Sequence, residues 1–234
     1  MKASSPFNKR GESAAPNRWQ LKIRLLTRHT HAPREHETES STPEPTPAMG
    51  SNDPLTDGAV LIIDVINDFA FPGADQLLEQ MPPVVKAIDA LRRRADALQR
   101  PVIHVNDNFG RWRSNFDRVI EYCQRKGAAG ASIAEQLRPR DTDYFVLKPG
   151  QSGFYQTPLP SLLEFLKVSS LVLTGVAGDQ CVLNTAMDAH IRDFRLWVPE
   201  DATASITPQR NRRALDHISE VLGASVAPVL DAAS

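Results

Sequence analysis

The chain has 234 residues, 41% of them hydrophobic, with 27 Lys or Arg against 28 Asp or Glu. That length supports one full domain with an appendage, and a net charge of -1 gives no bias toward nucleic acid or an anionic membrane. No apolar run approaches the eighteen residues of a membrane span. Two cysteines, Cys123 and Cys181, make no disulfide framework, which points to a reducing compartment, the cytoplasm.

Residues 1–52 differ in texture from the rest. The first 34 carry eight Lys or Arg and a single acid, Glu12, and the stretch TESSTPEPTPAMG closes the region. Such a composition buries too little apolar surface to offset its ordering entropy, so an extension without fixed structure is expected. A targeting leader is a second reading, although the apolar core of a secretory signal is missing. A third is that translation starts at Met49. Without residues 1–48 the balance is 19 bases against 23 acids, a charge of -4. Residues 53–234 are expected to form one folded domain.

From Gly58 the pattern alternates between strand and helix. Ala59–Ile63 (AVLII) is an apolar run ending in Asp64. Val84, Ile88, Leu91, Ala95 and Leu98 recur at helical spacing, with Pro82-Pro83 placed to form the first turn. Pro101–Val105 is a second strand, Ser114–Lys126 and Ser132–Leu137 read as helical, and Tyr144–Leu147 is a third strand ending at Lys148. Ser161–Lys167 is helical. Ser170–Thr174 is a fourth strand, followed by a Gly-containing turn and a helix from Cys181 to Arg192. Arg195–Pro199 makes a fifth strand, Pro208–Leu222 a helix and Ser225–Leu230 a sixth strand. Strands separated by helices predict an α/β fold in three layers, α/β/α: a six-stranded parallel sheet with right-handed crossovers and helices on both faces.

Ligands of such sheets bind beyond the carboxyl ends of the strands. Three strands here end in reactive groups: Asp64 after the first, Lys148 after the third and Cys181 just past the fourth. Each has a plainer reading, as a turn cap, a solvated charge and a small core residue respectively. Together they supply an acid/base, a cation and a nucleophile on one edge. The ammonium of Lys148 and a helix N-terminus would depress the thiol pKa. Asp64 could take the thiol proton and return it to a leaving amine. Backbone N–H groups around Ala177 and Cys181 could face a developing oxyanion, where each donor is worth about 3 kcal/mol of barrier. The chemistry expected is acyl transfer to Cys181 and hydrolysis of the thioester.

The residues from about Gly58 to Ala227 resemble the isochorismatase-like cysteine hydrolases, which include nicotinamidases and N-carbamoyl amide hydrolases. The stretches that carry the resemblance are AVLIIDVINDF, LKPGQSGFYQTPL, LVLTGVAGDQCVLNTAMDAHIRDF and VPEDATAS, in that order. The resemblance implies a six-stranded parallel sheet, a triad of Asp64, Lys148 and Cys181, and a cis peptide between Val176 and Ala177. It also implies a small-molecule substrate, no cofactor and a homodimer or homotetramer.

The departures are local. Ile66 stands where the family often has Gln, and Gly178 where it usually has Thr. Nicotinamidases carry an Asp and a His pair after the second strand. Here the stretch is Asn106-Asp107-Asn108-Phe109-Gly110-Arg111-Trp112, without a His pair, and His104 falls inside the strand as a packing residue. A metal site is not supported. The presence of Cys181 argues against the vinyl-ether hydrolysis of true isochorismatases. Substrate choice is expected to lie at Ile66, Gly178 and the 106–113 loop. In that loop Asn108, Arg111 and Trp112 could form a lid with a cation and an aromatic wall, or pack on the surface or on a neighbouring subunit; two arginines make no basic stripe for nucleic acid. Phe69 and Phe154 could line the pocket or belong to the core. Two rivals stand beside hydrolysis through Cys181: a non-catalytic member that binds a small ligand or partner, and a vinyl-ether hydrolase that works through Asp64 alone.

Overall fold

The computed structural model describes residues 53–230, so the reading of residues 1–52 lies outside it. Strands β1 (Gly58–Ile63), β2 (Val102–Asp107), β3 (Tyr144–Lys148), β4 (Ser170–Val176), β5 (Arg195–Trp197) and β6 (Thr203–Ala204) form one sheet. Its order is β3-β2-β1-β4-β5, with β6 also on β4, and every pairing is parallel. Strand order reverses between β1 and β4. Among the described residues no helix is long and apolar enough to cross a membrane.

The helices cover both faces. Side chains alternate along a strand, so Val60 and Ile62 of β1 point into one core while Ala59, Leu61 and Ile63 point into the other. Burial on both faces is why β1 reads as an uninterrupted apolar run. The first core receives α1 (Ala74–Ala97), α2 (Phe116–Cys123) and α3 (Ala131–Gln136). The second receives α4 (Leu159–Leu166), α5 (Leu183–Ile191) and α6 (Pro208–Leu222). The N-cap of α6 is Thr207, whose hydroxyl accepts from the Arg210 N–H at 3.3 Å, and Gly223 ends the helix with φ 65°.

Two elements differ from the sequence reading. Helix α1 begins at Ala74, so Pro82 and Pro83 lie inside it and not in its first turn. An interior proline costs about 3 kcal/mol. Here both prolines face solvent while Leu77, Met81, Val84, Ile88 and Leu91 are buried, at about 1.5–3 kcal/mol each, and the apolar stripe carries the helix through. The sixth strand is Thr203–Ala204, paired with Gly175 and Val176, not Ser225–Leu230. The latter segment makes one bridge, Ser225 to Trp197. Pro228 has no N–H to donate, and the N–H groups of Val229 and Leu230 go to the Asp201 carboxylate at 2.8 and 3.1 Å. The ladder cannot continue.

Candidate active site

The site lies where strand order reverses, beyond the carboxyl ends of β1, β3 and β4. At the closest approach of β1 and β4, Gly175 has φ 105°, and a Cβ there would meet the Ile63 carbonyl oxygen at 2.0 Å. Glycine is the residue this junction accepts.

Asp64 follows β1 directly and holds φ 52°. Its Oδ1 accepts from the Asp107 N–H at 2.7 Å and its Oδ2 from Lys148 Nζ at 2.8 Å. Lys148 is the last residue of β3, in register with Asp107 of β2. The plain reading of it as a solvated charge is overturned, because Lys148 is fully buried. Its ammonium has three protons and three partners: Asp64, the Gly150 carbonyl at 2.9 Å and Cys181 Sγ at 3.4 Å. The Cys181 thiol is also in hydrogen-bond contact with the Asp64 carboxylate. One cluster thus joins residues from three strand ends.

Cys181 does not open an α-helix. It sits in a π turn, Gly178–Val182, and α5 starts two residues later. The Val176–Ala177 peptide bond just before the turn is cis. The expectation of a depressed thiol pKa is corrected as well. Burial, and then the Asp64 carboxylate, push the Cys181 thiol up to about 12, and the nearby Lys148 charge only partly opposes them. The resting group is a thiol. Burial also raises the Asp64 carboxyl above its ordinary value, against the pull of Lys148. Burial disfavours the Lys148 charge, yet the Asp64 carboxylate carries the net shift upward and keeps the ammonium protonated.

The other sequence candidates fall in different places. Ile66 is fully buried in the first core. Phe69 belongs to the same core, while Phe154 belongs to the second, against Phe194 and beneath the Arg192 guanidinium. Gly178 is buried, and the space its missing side chain would fill is taken by Asn211 Oδ1. Asn108 is buried at the root of its loop, where its N–H donates to the Lys148 carbonyl at 3.1 Å. Arg111 lies 3.7 Å over the Tyr122 ring, which Arg125 contacts as well, and Trp112 is 77% exposed. The sequence reading missed the Asp107 N–H, the Gly150 carbonyl, Ser205 and Asn211. The Lys-Pro-Gly turn signal marks Gly150, but nothing local marks the other three.

The Isochorismatase domain family model matches residues 58–234. An uncharacterized isochorismatase family protein of Bacillus subtilis, YaaI, is 35% identical over 170 residues, 73% of this chain and 93% of that one. A probable inactive nicotinamidase of Arabidopsis thaliana is 32% identical over 162 residues, 64% of this chain and 82% of that one. Among solved structures, N-carbamoylsarcosine amidase from Thermoplasma acidophilum superposes with a TM-score of 0.55 at 30% identity, covering 74% of this chain and 96% of its own. With that match spanning most of the described domain, the chain belongs to the isochorismatase family.

Proposed function

We propose that the protein hydrolyses the C–N bond of a small amide or ureide through a thioester on Cys181. The observation that carries this reading is the buried Lys148 ammonium, which contacts both the Asp64 carboxylate and the Cys181 sulfur. Asp64 takes the thiol proton as Sγ bonds to the substrate carbonyl carbon. Its raised pKa makes it a stronger base than an exposed carboxylate, and Lys148 stabilises the negative charge that moves onto sulfur. The carbonyl oxygen gains that charge in the tetrahedral intermediate and faces the N–H groups of Ala177 and Cys181. Collapse breaks the C–N bond, and protonated Asp64 returns the proton to the departing nitrogen. Water, losing a proton to Asp64, then attacks the thioester, and the thiol is regenerated. The similarity to an N-carbamoylsarcosine amidase favours amides and N-carbamoyl compounds as substrates.

The hydrolase domain in this reading is residues 53–234 of a cytoplasmic homo-oligomer. A second reading is favoured by the raised thiol pKa and by the relative named as probably inactive: binding without catalysis. A panel of primary amides, N-carbamoyl amino acids and ureides, followed by ammonia release, separates the two. Turnover is expected from the wild type, with an acyl adduct on the Cys181 peptide by mass spectrometry, and none from Cys181→Ala. Undiminished turnover by Cys181→Ala would sink the mechanism.

A further inference from the structure

The turn that carries Cys181 is held from one side by two buried polar residues that are remote in sequence. Asn211 lies in α6 and Ser205 just after β6. Asn211 Oδ1 occupies the space that a Cβ at Gly178 would take, at 2.0 Å from it. The Ser205 hydroxyl donates to that same Oδ1 at 3.1 Å and accepts from the Asp179 N–H at 3.0 Å. The Asn211 amide nitrogen donates to the Thr203 carbonyl at 3.2 Å, which fixes which way the side chain points. On the flank of the turn, Arg210 Nε pairs with Asp179 Oδ2 at 2.5 Å. From the other side, Thr185 Oγ1 donates to the Cys181 carbonyl at 2.7 Å and accepts from the Gly153 N–H at 3.0 Å.

Burying two polar side chains beside a glycine costs more than apolar packing unless each is hydrogen-bonded, and here each is. A small apolar residue at 211 would fill the helix–turn contact without that requirement. What it could not do is fix the height of the turn, because packing alone does not orient the Asp179 N–H. We propose that Asn211 and Ser205 are positioning residues for Cys181, holding the Gly178–Val182 turn so that Sγ stays against Lys148 and Asp64. Gly178 and Asn211 are then a size-matched pair, and Gly178 serves this fit and not the selection of substrate. The inference rests on Cys181 being the nucleophile.

Four variants of the full chain test it: Asn211→Ala, Ser205→Ala, Gly178→Ala and the double Gly178→Ala/Asn211→Ala. Hydrolysis of the best amide from the panel above is measured together with alkylation of Cys181 by iodoacetamide, resolved by peptide mass. Cys123 is buried in the core and serves as an internal reference for unfolding. Asn211→Ala is expected to lower kcat about 10- to 100-fold with KM within about twofold, since a displacement near 1 Å has effects of that size. Its Cys181 alkylation at neutral pH should change about fivefold or more as the sulfur shifts relative to Lys148 and Asp64, with Cys123 still protected. Unfolding is told apart because it would expose both thiols. Ser205→Ala should move both readouts in the same direction by less. Gly178→Ala should resemble Asn211→Ala, and the double variant should be no worse than Asn211→Ala, because removing Oδ1 makes room for the new methyl.

Wild-type kcat and alkylation in both Asn211→Ala and Ser205→Ala would overturn the proposal, and so would a double variant whose loss is the product of the single losses. If Asn211→Ala exposes Cys123, Ser205→Ala, which deletes one oxygen, decides the question. Turnover retained by Cys181→Ala would instead defeat the nucleophile assignment. An inactive Cys181→Ala beside wild-type Asn211→Ala and Ser205→Ala would defeat the positioning role alone.

Discussion

Strand β3 has a buried carboxylate cluster at each end, and the two clusters behave in opposite ways. At its carboxyl end Lys148 meets Asp64 and Cys181. Just before its first residue, Asp143 meets Arg92 at 3.3 Å, His104 Nε2 at 3.3 Å and the Arg140 N–H at 3.0 Å, and the Arg140 guanidinium reaches it as well. Burial works to raise both carboxyls. At Asp143 the hydrogen bonds from His104 and Arg140 outweigh it and hold the group well below the usual carboxylate range. At Asp64 one ammonium, the Cys181 thiol and one backbone N–H do not, and the group stays above its ordinary value. In the proposed mechanism the number and strength of the donors separate a structural anion from a base. A carboxylate saturated with donors gains nothing by accepting a proton, whereas one with few donors next to a thiol can take a proton and give it back.

The sharpest test of this contrast is a pair of substitutions, one at each carboxylate. Asp64→Asn should cut kcat per folded molecule about 10²- to 10⁴-fold, the usual span for loss of a general base. Asp143→Ala should act on the fold and not on the chemistry. It leaves Arg92 buried without its carboxylate, a loss expected to destabilise by about 3–5 kcal/mol in denaturant titrations, with kcat per folded molecule within about twofold of wild type. If Asp143→Ala impaired turnover as severely as Asp64→Asn, the division of labour between the two clusters would be wrong.

The pH dependence separates them further. The acid limb of kcat/KM should follow ionisation of Asp64 and have its midpoint above 3.8, the ordinary carboxylate value. A rate that instead kept climbing toward pH 12, where the thiol itself ionises, would remove Asp64 from the role of base. The smallest effect belongs to stability. Burial lowers the His104 pKa from 6.5, so the unfolded chain binds a proton below that pH that the folded one refuses. Stability should fall as pH drops below about 6.5. Asp143, whose folded pKa is depressed, adds a further loss below 3.8. Replacing His104 with Asn should flatten the first of these slopes in thermal melts followed from pH 7 to 5.

The candidate site was legible in the sequence to an uneven degree. Asp64 and Lys148 each stand at the end of an apolar run and Cys181 a turn beyond one, and a parallel sheet brings strand ends to one edge, so local patterning was enough to group them. The same patterning extended the strand set wrongly. Ser225–Leu230 has the composition of a strand, but Pro228 and the Asp201 carboxylate divert its hydrogen bonds, whereas the two-residue β6 is too short to show any period. Gly178 reads in sequence as a change at the rim of a pocket. Its meaning comes from Asn211, 33 positions away, which no local rule connects to it.

The sequence by itself determined the alternation of strands and helices, the two-faced burial of β1 and the grouping of three candidate side chains at strand ends. Hydropathy and turn chemistry act over a few residues, and those features are local. Only the tertiary structure decided the electrostatics. Lys148 is a buried ion-pair partner and not a solvated charge, the Cys181 thiol is raised and not depressed, and the turn that bears it is braced by Ser205 and Asn211. A pKa depends on which groups surround the ionising atom and how much water is left around it. Those quantities come from chain segments that meet only when the sheet and its helices have closed around the site.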